Sequence, residues 1–480
     1  MNKDVLLIGS GVGGLSLAII LAKSGFNVRV VEKNRLPGGM MRSYFRKGHE
    51  CHVGIHYLGA LGKGQLLNRF FDYLGIKVPV ERMGLKGVID RYIFDDFSFD
   101  LPEGIDAYEQ NLRTVFPDEQ EQIDGIMKHL KPIAEKMNSL DFLFGDQADF
   151  TEPELFMPVE DYLNKLNCSS QLKGVLSVPS GWIGVPPCQC PVFYHNMALA
   201  SYLLSSWRLK SHTQIADIFV NRLEELGGQV ITGDGVENIL IESKITKGVR
   251  LNSGRELFAP AVVGAVHPRI ILDMMPDIAV RPLYRKRISQ LKNTHSIFCL
   301  HAELDASAHP EIPYNIFKVA PDKNGQMPDV KYYQIRQSLK DKTTLSILTS
   351  GRSELWQKWK KTSTGRRGND YVQAKEEFAW QLISESEKIL GSLKGCSLID
   401  TYTPLSIRDW VNSPEGTAYG VLRSCDQLLS GAMLNRTSVK GMFLAGQSVM
   451  APGVIGTIMG SFHTARFMMG NEMFKKHYRK

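Results

Sequence analysis

Between residues 5 and 32 the chain reads Val5-Leu-Leu-Ile8, then Gly9-Ser-Gly11-Val-Gly13-Gly14. A helical apolar pattern follows through Leu17, Ala18 and Leu21 and closes at Gly25, before Val28-Arg-Val-Val31 and Glu32. A strand, a glycine turn, a helix and a second strand ending on an acid form a βαβ unit, and that unit commits the chain to a parallel sheet. The glycines have separate tasks. Gly9 permits the tight turn, Gly11 lets backbone approach a pyrophosphate, and Gly14 lets the helix pack closely on the strand. The helix N-terminus offers free N–H groups and partial positive charge to phosphates, and Glu32 is spaced to accept from ribose hydroxyls. The pattern predicts a dinucleotide site containing Gly9, Gly11, Gly13, Gly14 and Glu32. By itself it does not separate FAD from NAD.

Composition narrows the class further. With 43% apolar and 22% charged residues in 480, the chain is neither collagen-like nor disordered. The 57 Lys+Arg against 50 Asp+Glu leave a net +7, and Lys475, Lys476, Arg479 and Lys480 gather basic charge at the end. No apolar run approaches the roughly 18–20 residues of a membrane span. Strand-like sequence begins by Val5, with no signal-peptide pattern before it, and the seven cysteines are odd in number and scattered. The expectation is a reducing, cytoplasmic compartment. Cys188 and Cys190 with His195, and His52 with His56, come nearest to metal spacing. No second CxxC or HxxxH pair accompanies them, and the glycines around His52 argue against a helix, so no metal is expected. No P-loop, nucleophile elbow or HExxH occurs.

Four further stretches carry a resemblance. Leu36-Pro-Gly38-Gly39 with Arg42 follows the Glu32 strand directly, and then comes Gly48-His-Glu-Cys-His52-Val-Gly54-Ile-His56-Tyr57-Leu-Gly59. Near the other end stand Thr403-Pro-Leu-Ser-Ile-Arg408-Asp-Trp410 with Glu415-Gly-Thr-Ala-Tyr419-Gly420, and Met442-Phe-Leu-Ala-Gly446-Gln447 with Ala451-Pro-Gly453-Val454-Ile-Gly456. Together these resemble the phytoene desaturase, carotenoid isomerase and retinol saturase group of FAD-dependent oxidoreductases, within the amine-oxidase-like flavoproteins. The resemblance implies FAD as cofactor, with Gly38, Gly39, Arg42, Gly54, Gly446, Gln447, Gly453 and Val454 added to its site. It also implies a backbone contact to adenine near Val236. The helix after Gly453 would point its N-terminus at the flavin, where its dipole favours negative charge on the reduced ring. Two departures stand out: group members usually carry Asp where this chain has His52, and a glycine pair where it has Trp207–His212.

The implied fold class is α/β, a discontinuous Rossmann-type FAD-binding domain with an inserted α+β substrate domain. Residues 1–75, 205–275 and 420–480 are expected to bind FAD, and 76–204 with 276–419 to form the substrate region. Ile215, Ile218, Phe219, Leu223 and Leu226 mark one helix face stopped by Gly227-Gly228, followed by strand-like 229–232, 236–242, 247–251 and 261–265. The 76–204 block is rich in aromatics, among them Phe142, Phe144, Phe150, Phe156, Trp182, Phe193 and Tyr194, which suit either a long pocket or core. Strands are expected at 296–303, 331–337 and 344–348, and a helix at about 370–390.

The implied reaction is hydride exchange between flavin and a carbon of a long apolar polyene or isoprenoid: desaturation, saturation or isomerisation. His56 and Tyr57 are the polar residues expected beside the flavin, either to donate a proton or to hydrogen-bond the cofactor. Two alternatives stand beside this one, an amine-oxidase-like enzyme on a polar substrate and a protein that keeps FAD only for structure. Trp356, Lys358, Trp359, Lys360, Lys361, Arg366 and Arg367 interleave aromatics with charge, compatible with a solvated loop or with peripheral contact to an anionic membrane. Nucleic acid is the less favoured partner.

Overall fold

The computed structural model describes residues 3–84, 87–137, 151–211, 213–320 and 329–478. Phe142, Phe144, Phe150, His212, Arg479 and Lys480 lie outside them. Asp4–Ile8 and Asn27–Glu32 pair in parallel, as the opening βαβ pattern requires, and three more strands extend them into a five-stranded parallel sheet. Its order is Gln229–Thr232, Asn27–Glu32, Asp4–Ile8, Ala261–Gly264, Met442–Leu444, so segments far apart in sequence lie side by side. Both faces are covered, which is why Val5–Ile8 is a continuous apolar run rather than an alternating one. The Val12–Lys23 helix packs between Thr213–Glu225 and Gly453–Met469. That last contact is closer than a side chain allows: a Cβ on Gly13 would sit 2.9 Å from the Thr457 Cγ2 of that helix, and 2.6 Å from the Gly446 Cα just before it. Residues 236–242, 245–251 and 256–258 form the expected antiparallel meander.

A seven-stranded mixed sheet forms the second layer. Its order is Ser397–Tyr402, Ile297–Asp305, Lys342–Ser350, Asp329–Leu339, Asn315–Ala320, Asp90–Ile93, Ser98–Leu101. Three of these strands and the Asn369–Leu390 helix follow the sequence pattern; Asp90–Ile93, Ser98–Leu101, Asn315–Ala320 and Ser397–Tyr402 are additions that the pattern does not show. Period-2 alternation divides the sheet's residues between two environments. Phe298, Ile316, Tyr333 and Ile347 face the Asn369–Leu390 helix in one core. Their neighbours Ile297, Phe317, Tyr332 and Leu348 face a cavity on the other side. Phe317, Tyr332 and Leu348 are direct cross-strand partners, so register alone assembles that wall.

The basic segment at 353–367 is not the aromatic surface that its interleaving suggested. Ser353–Trp359 is a 3-10 helix, and Trp356 and Trp359 are buried in the core formed with Phe298 and Phe378. The Trp356 indole N–H donates to Gly351 O at 2.7 Å, Lys358 pairs with Asp370, and Arg367 is buried against Asp409. Near the C-terminus Phe474 is buried and stacks on Tyr478, docking the Asn471–Tyr478 helix onto Tyr73 and Phe462. Among the described residues no helix is long and apolar enough to cross a membrane, and no cluster of three metal-ligating side chains occurs.

Candidate functional site

At the carboxyl end of the parallel sheet lies a cleft of about 330 Å³, lined by Gly9, Gly11, Gly13, Glu32, Gly39, Val236, Gly446 and Gln447 among others. Gly9 adopts φ +99°, which a side chain would strain, and its amide donates to Val31 O at 2.8 Å. A Cβ on Gly14 would meet Gly9 O at 2.1 Å, while one on Gly11 would meet nothing within 4 Å. Gly14 therefore serves packing, and Gly11 presents bare backbone to the cleft. No acid occupies the first turn of the Val12–Lys23 helix, so its positive end is uncompensated there. Glu32 is held by Ser10 and Asn34: Ser10 N and Oγ donate to Oε2 at 3.1 and 2.6 Å, and Asn34 N and Nδ2 donate to Oε1 at 2.9 and 2.8 Å. Gly38 and Arg42 lie behind this wall. Arg42 donates to Leu36 O and Gly39 O, fastening the turn from behind instead of reaching the cleft.

A second cavity, of about 550 Å³, contains Gly54, His56, Tyr57, Gly453 and Val454 in its wall. The segment from Gly446 to Gly456 borders both spaces, and the Gly453–Met469 helix opens onto the larger one. The wall is aromatic. Tyr57 lies 4.4 Å from Tyr202 between ring centroids, Trp182 lies 5.0 Å from Tyr202 and 6.3 Å from Phe317, and Phe317 lies 5.2 Å from Tyr332. His56 packs on Tyr332 at 5.3 Å and on His52 at 4.8 Å, with His52 in the His49–His52 strand rather than on a helix. Tyr419 and His295 complete one side; burial pushes the Tyr419 phenol up to about 12 and lowers the His295 imidazole. The carboxylate contributed by described residues of this wall is Asp329, which faces Lys331 and Arg352, each at 3.9 Å.

Behind Tyr57 lies a polar group absent from the sequence reading. Tyr57 donates to Asp90 Oδ2 at 3.2 Å, and Asn315 Nδ2 donates to Asp90 Oδ1 at 2.8 Å. Asn315 Oδ1 accepts from Arg208 at 3.3 Å, Tyr332 at 3.0 Å and Gln334 at 3.2 Å. Asp90 is fully buried, and burial raises its acid to about 7, partly offset by hydrogen bonds from Asn315 and Tyr57 and by the Arg208 charge. Burial likewise holds the Tyr57 phenol well above its ordinary value. The one available signal was alternation: Asp90 and Tyr92 share the inward face of a short strand.

The fold joins a Rossmann-type nucleotide layer to a second layer whose sheet walls the larger cavity. Residues 7–74 match the family model described as an NAD(P)-binding Rossmann-like domain. The chain is 25% identical to the all-trans-retinol 13,14-reductase of Danio rerio over 96% of this chain and 85% of that protein. It is 24% identical to the chloroplastic prolycopene isomerase of Arabidopsis thaliana over 93% and 79%. A putrescine oxidase structure superposes with TM-score 0.66 at 13% identity, covering 98% of this chain and 99% of that one, which shows a shared fold. Over more than nine-tenths of its length the chain is thus similar both to retinol reductases and to prolycopene isomerases.

Proposed function

We propose that this protein is an FAD-dependent oxidoreductase that acts on carbon–carbon bonds of a long apolar polyene of the retinoid or carotenoid kind, by saturation, desaturation or isomerisation. The observation that carries the reading is the 550 Å³ cavity, whose wall is built from rings and aliphatic side chains and meets the N-terminus of the Gly453–Met469 helix. An ammonium substrate would need an available carboxylate, and Asp329 already faces two cations. That weighs against the amine-oxidase alternative.

The residues present fit FAD. Gly11 and Gly453 both direct their missing Cβ into open space, the room that close backbone approach to a ligand needs. In this reading Gly9, Gly11 and Gly13 cradle the pyrophosphate, Glu32 takes the ribose hydroxyls, Val236 borders the adenine, and Gly446, Gln447, Gly54, Gly453 and Val454 border the flavin. Residues 1–75, 205–275 and 420–480 make the flavin half, and 76–204 with 276–419 the substrate half. Bound there, the flavin would supply two-electron hydride chemistry. The chain supplies a wall rich in aromatic rings, and His56 and Tyr57 as the polar groups beside the reacting carbons.

Anaerobic mixing of oxidised and reduced holoenzyme with retinoids, carotenoids, polyunsaturated lipids and amines tests this. Flavin absorbance is expected to change with a polyene and not with amines. Reduction by amines alone would overturn the reading, as would purified protein that is colourless and takes up no flavin.

Peripheral membrane contact, in this reading, is electrostatic and non-inserting, through Lys360, Lys361, Lys475 and Lys476, since the neighbouring tryptophans are core. Each such lysine contributes about 1 kcal/mol near an anionic surface. The fourfold Lys→Gln variant is expected to lose co-sedimentation with phosphatidylserine vesicles at low salt. Retained binding would refute the contact.

A further inference from the structure

The cavity wall contains one phenol that reaches back to a buried acid. Tyr57 faces the cavity, and its hydroxyl lies 3.2 Å from Asp90 Oδ2. Asp90 has no exposure of its own, so Tyr57 is its connection to the cavity. A carboxyl at this depth is costly unless it is neutral or well bonded. The groups around it divide between those two states. Asn315 donates to Oδ1 at 2.8 Å, and the Arg208 guanidinium stands one bond further away; both favour the carboxylate. Tyr92 on its own strand, Tyr202 from the Val192–Leu204 helix and Tyr332 from the Asp329–Leu339 strand bring no charge, and their own phenols are raised by burial. Beyond Arg208 stand Glu311 at 3.6 Å and Arg336, itself paired with Glu81 at 2.8 Å. The balance places the acid at about 7, between its two states under ordinary conditions.

We propose that Tyr57 is the proton donor and acceptor at the substrate carbon, and that Asp90 is a positioning residue that sets the direction of the Tyr57 hydroxyl and holds the proton in reserve. The proposal rests on the polyene reading above. When Asp90 is ionised, Tyr57 donates to it and turns its proton away from the cavity. When Asp90 is protonated, Oδ2–H donates to Tyr57 Oη, and the phenolic hydrogen is freed to point into the cavity. In the reductive direction a bound, reduced flavin would supply the hydride for one carbon of a C=C. The π pair on the other carbon then takes the Tyr57 proton, the Tyr57 O–H bond breaks, and the Asp90 proton passes to the phenolate oxygen. Asp90 is left as carboxylate and is recharged through Tyr57 from water that enters the cavity after the product leaves. Oxidation runs the same transfers backwards. A phenol with so high a proton affinity does not persist as phenolate, and a second proton poised behind it removes that obstacle.

Two measurements on the full-length protein test the pair. In the infrared, a protonated-carboxyl band is expected to disappear with a midpoint near 7 in the wild type and to be absent in Asp90→Asn. In Tyr57→Phe the midpoint should move upward, because the lost hydrogen bond favoured the carboxylate. This variant keeps the buried acid intact, should Asp90→Asn fail to fold. In single turnovers of the reduced holoenzyme with a polyene, Tyr57→Phe is expected to slow turnover about 10²–10⁴-fold with KM little changed. The wild-type rate should fall as pH rises through about 7, and the Asp90→Asn profile should be flat there. Full-rate turnover by Tyr57→Phe, a carboxyl band absent throughout, or a midpoint unmoved in Tyr57→Phe would each overturn the proposal. The infrared arm needs neither flavin nor substrate. A coupled band alongside absent polyene turnover sinks the polyene reading, and with it the donor role of Tyr57; a missing band refutes the pair even where turnover is normal.

Discussion

Gly14→Ala is expected to cost the protein its flavin. The added Cβ would lie 2.1 Å from Gly9 O and 3.1 Å from the Ala265 Cβ, and neither can retreat easily. Gly9 is tied to Val31 O through its amide, and Ala265 donates to Ile8 O at 2.8 Å in the adjoining strand connection. The helix must therefore lift from the sheet, carrying the Gly11 amide with it. At about 1–3 kcal/mol for overpacking a rigid site, flavin affinity should fall roughly ten- to hundredfold, read as visible flavin absorbance per protein after dialysis. Gly11→Ala separates binding from packing, because its Cβ meets no protein atom within 4 Å. That variant should lose flavin while the apo-protein unfolds at the wild-type urea concentration, whereas Gly14→Ala should also lower the apo midpoint. Wild-type flavin content in both would remove the cleft as the nucleotide site.

Trp356→Ala should be the most destabilising of the changes considered, at about 3–5 kcal/mol for deleting a buried indole. The ring is 2% exposed and packs at 5.8 Å from Phe298, 6.0 Å from Tyr371 and 6.3 Å from Phe378, with its N–H satisfied by Gly351 O. The loss should appear in the urea unfolding midpoint, with vesicle binding of the folded fraction unchanged. An unaltered midpoint with reduced vesicle binding would restore the surface role that the basic surroundings of this tryptophan suggested.

The contrast between these variants separates what was readable from what was not. Gly9, Gly11 and Gly14 could be assigned distinct tasks from spacing, because a βαβ turn is a local structure whose constraints act over about thirty residues. The 370–390 helix and three sheet strands were legible for the same reason: periodicity is a property of neighbours. Trp356 misled because charge and aromatic interleaving describes a chain, not a face. In the folded protein the indoles turn inward while the lysines remain at the surface. Arg42 likewise has the residue type of a phosphate ligand, yet its nearest acceptors are two carbonyls of its own turn.

The sequence by itself determined the parallel sheet, the nucleotide cleft at its carboxyl edge, and His56 and Tyr57 as residues worth following. Only the tertiary structure decided that Tyr57 has an acid behind it. Asp90, Arg208 and Asn315 come from three strands separated by about a hundred residues each, and no local pattern links them. What joins them is register: the parallel pairing of Asp90 with Asn315 sets the acid against its donor. Burial then converts an ordinary aspartate into a group that gains and loses its proton near neutrality. A proton affinity depends on which dipoles and how much water surround a group, and chain folding alone settles both.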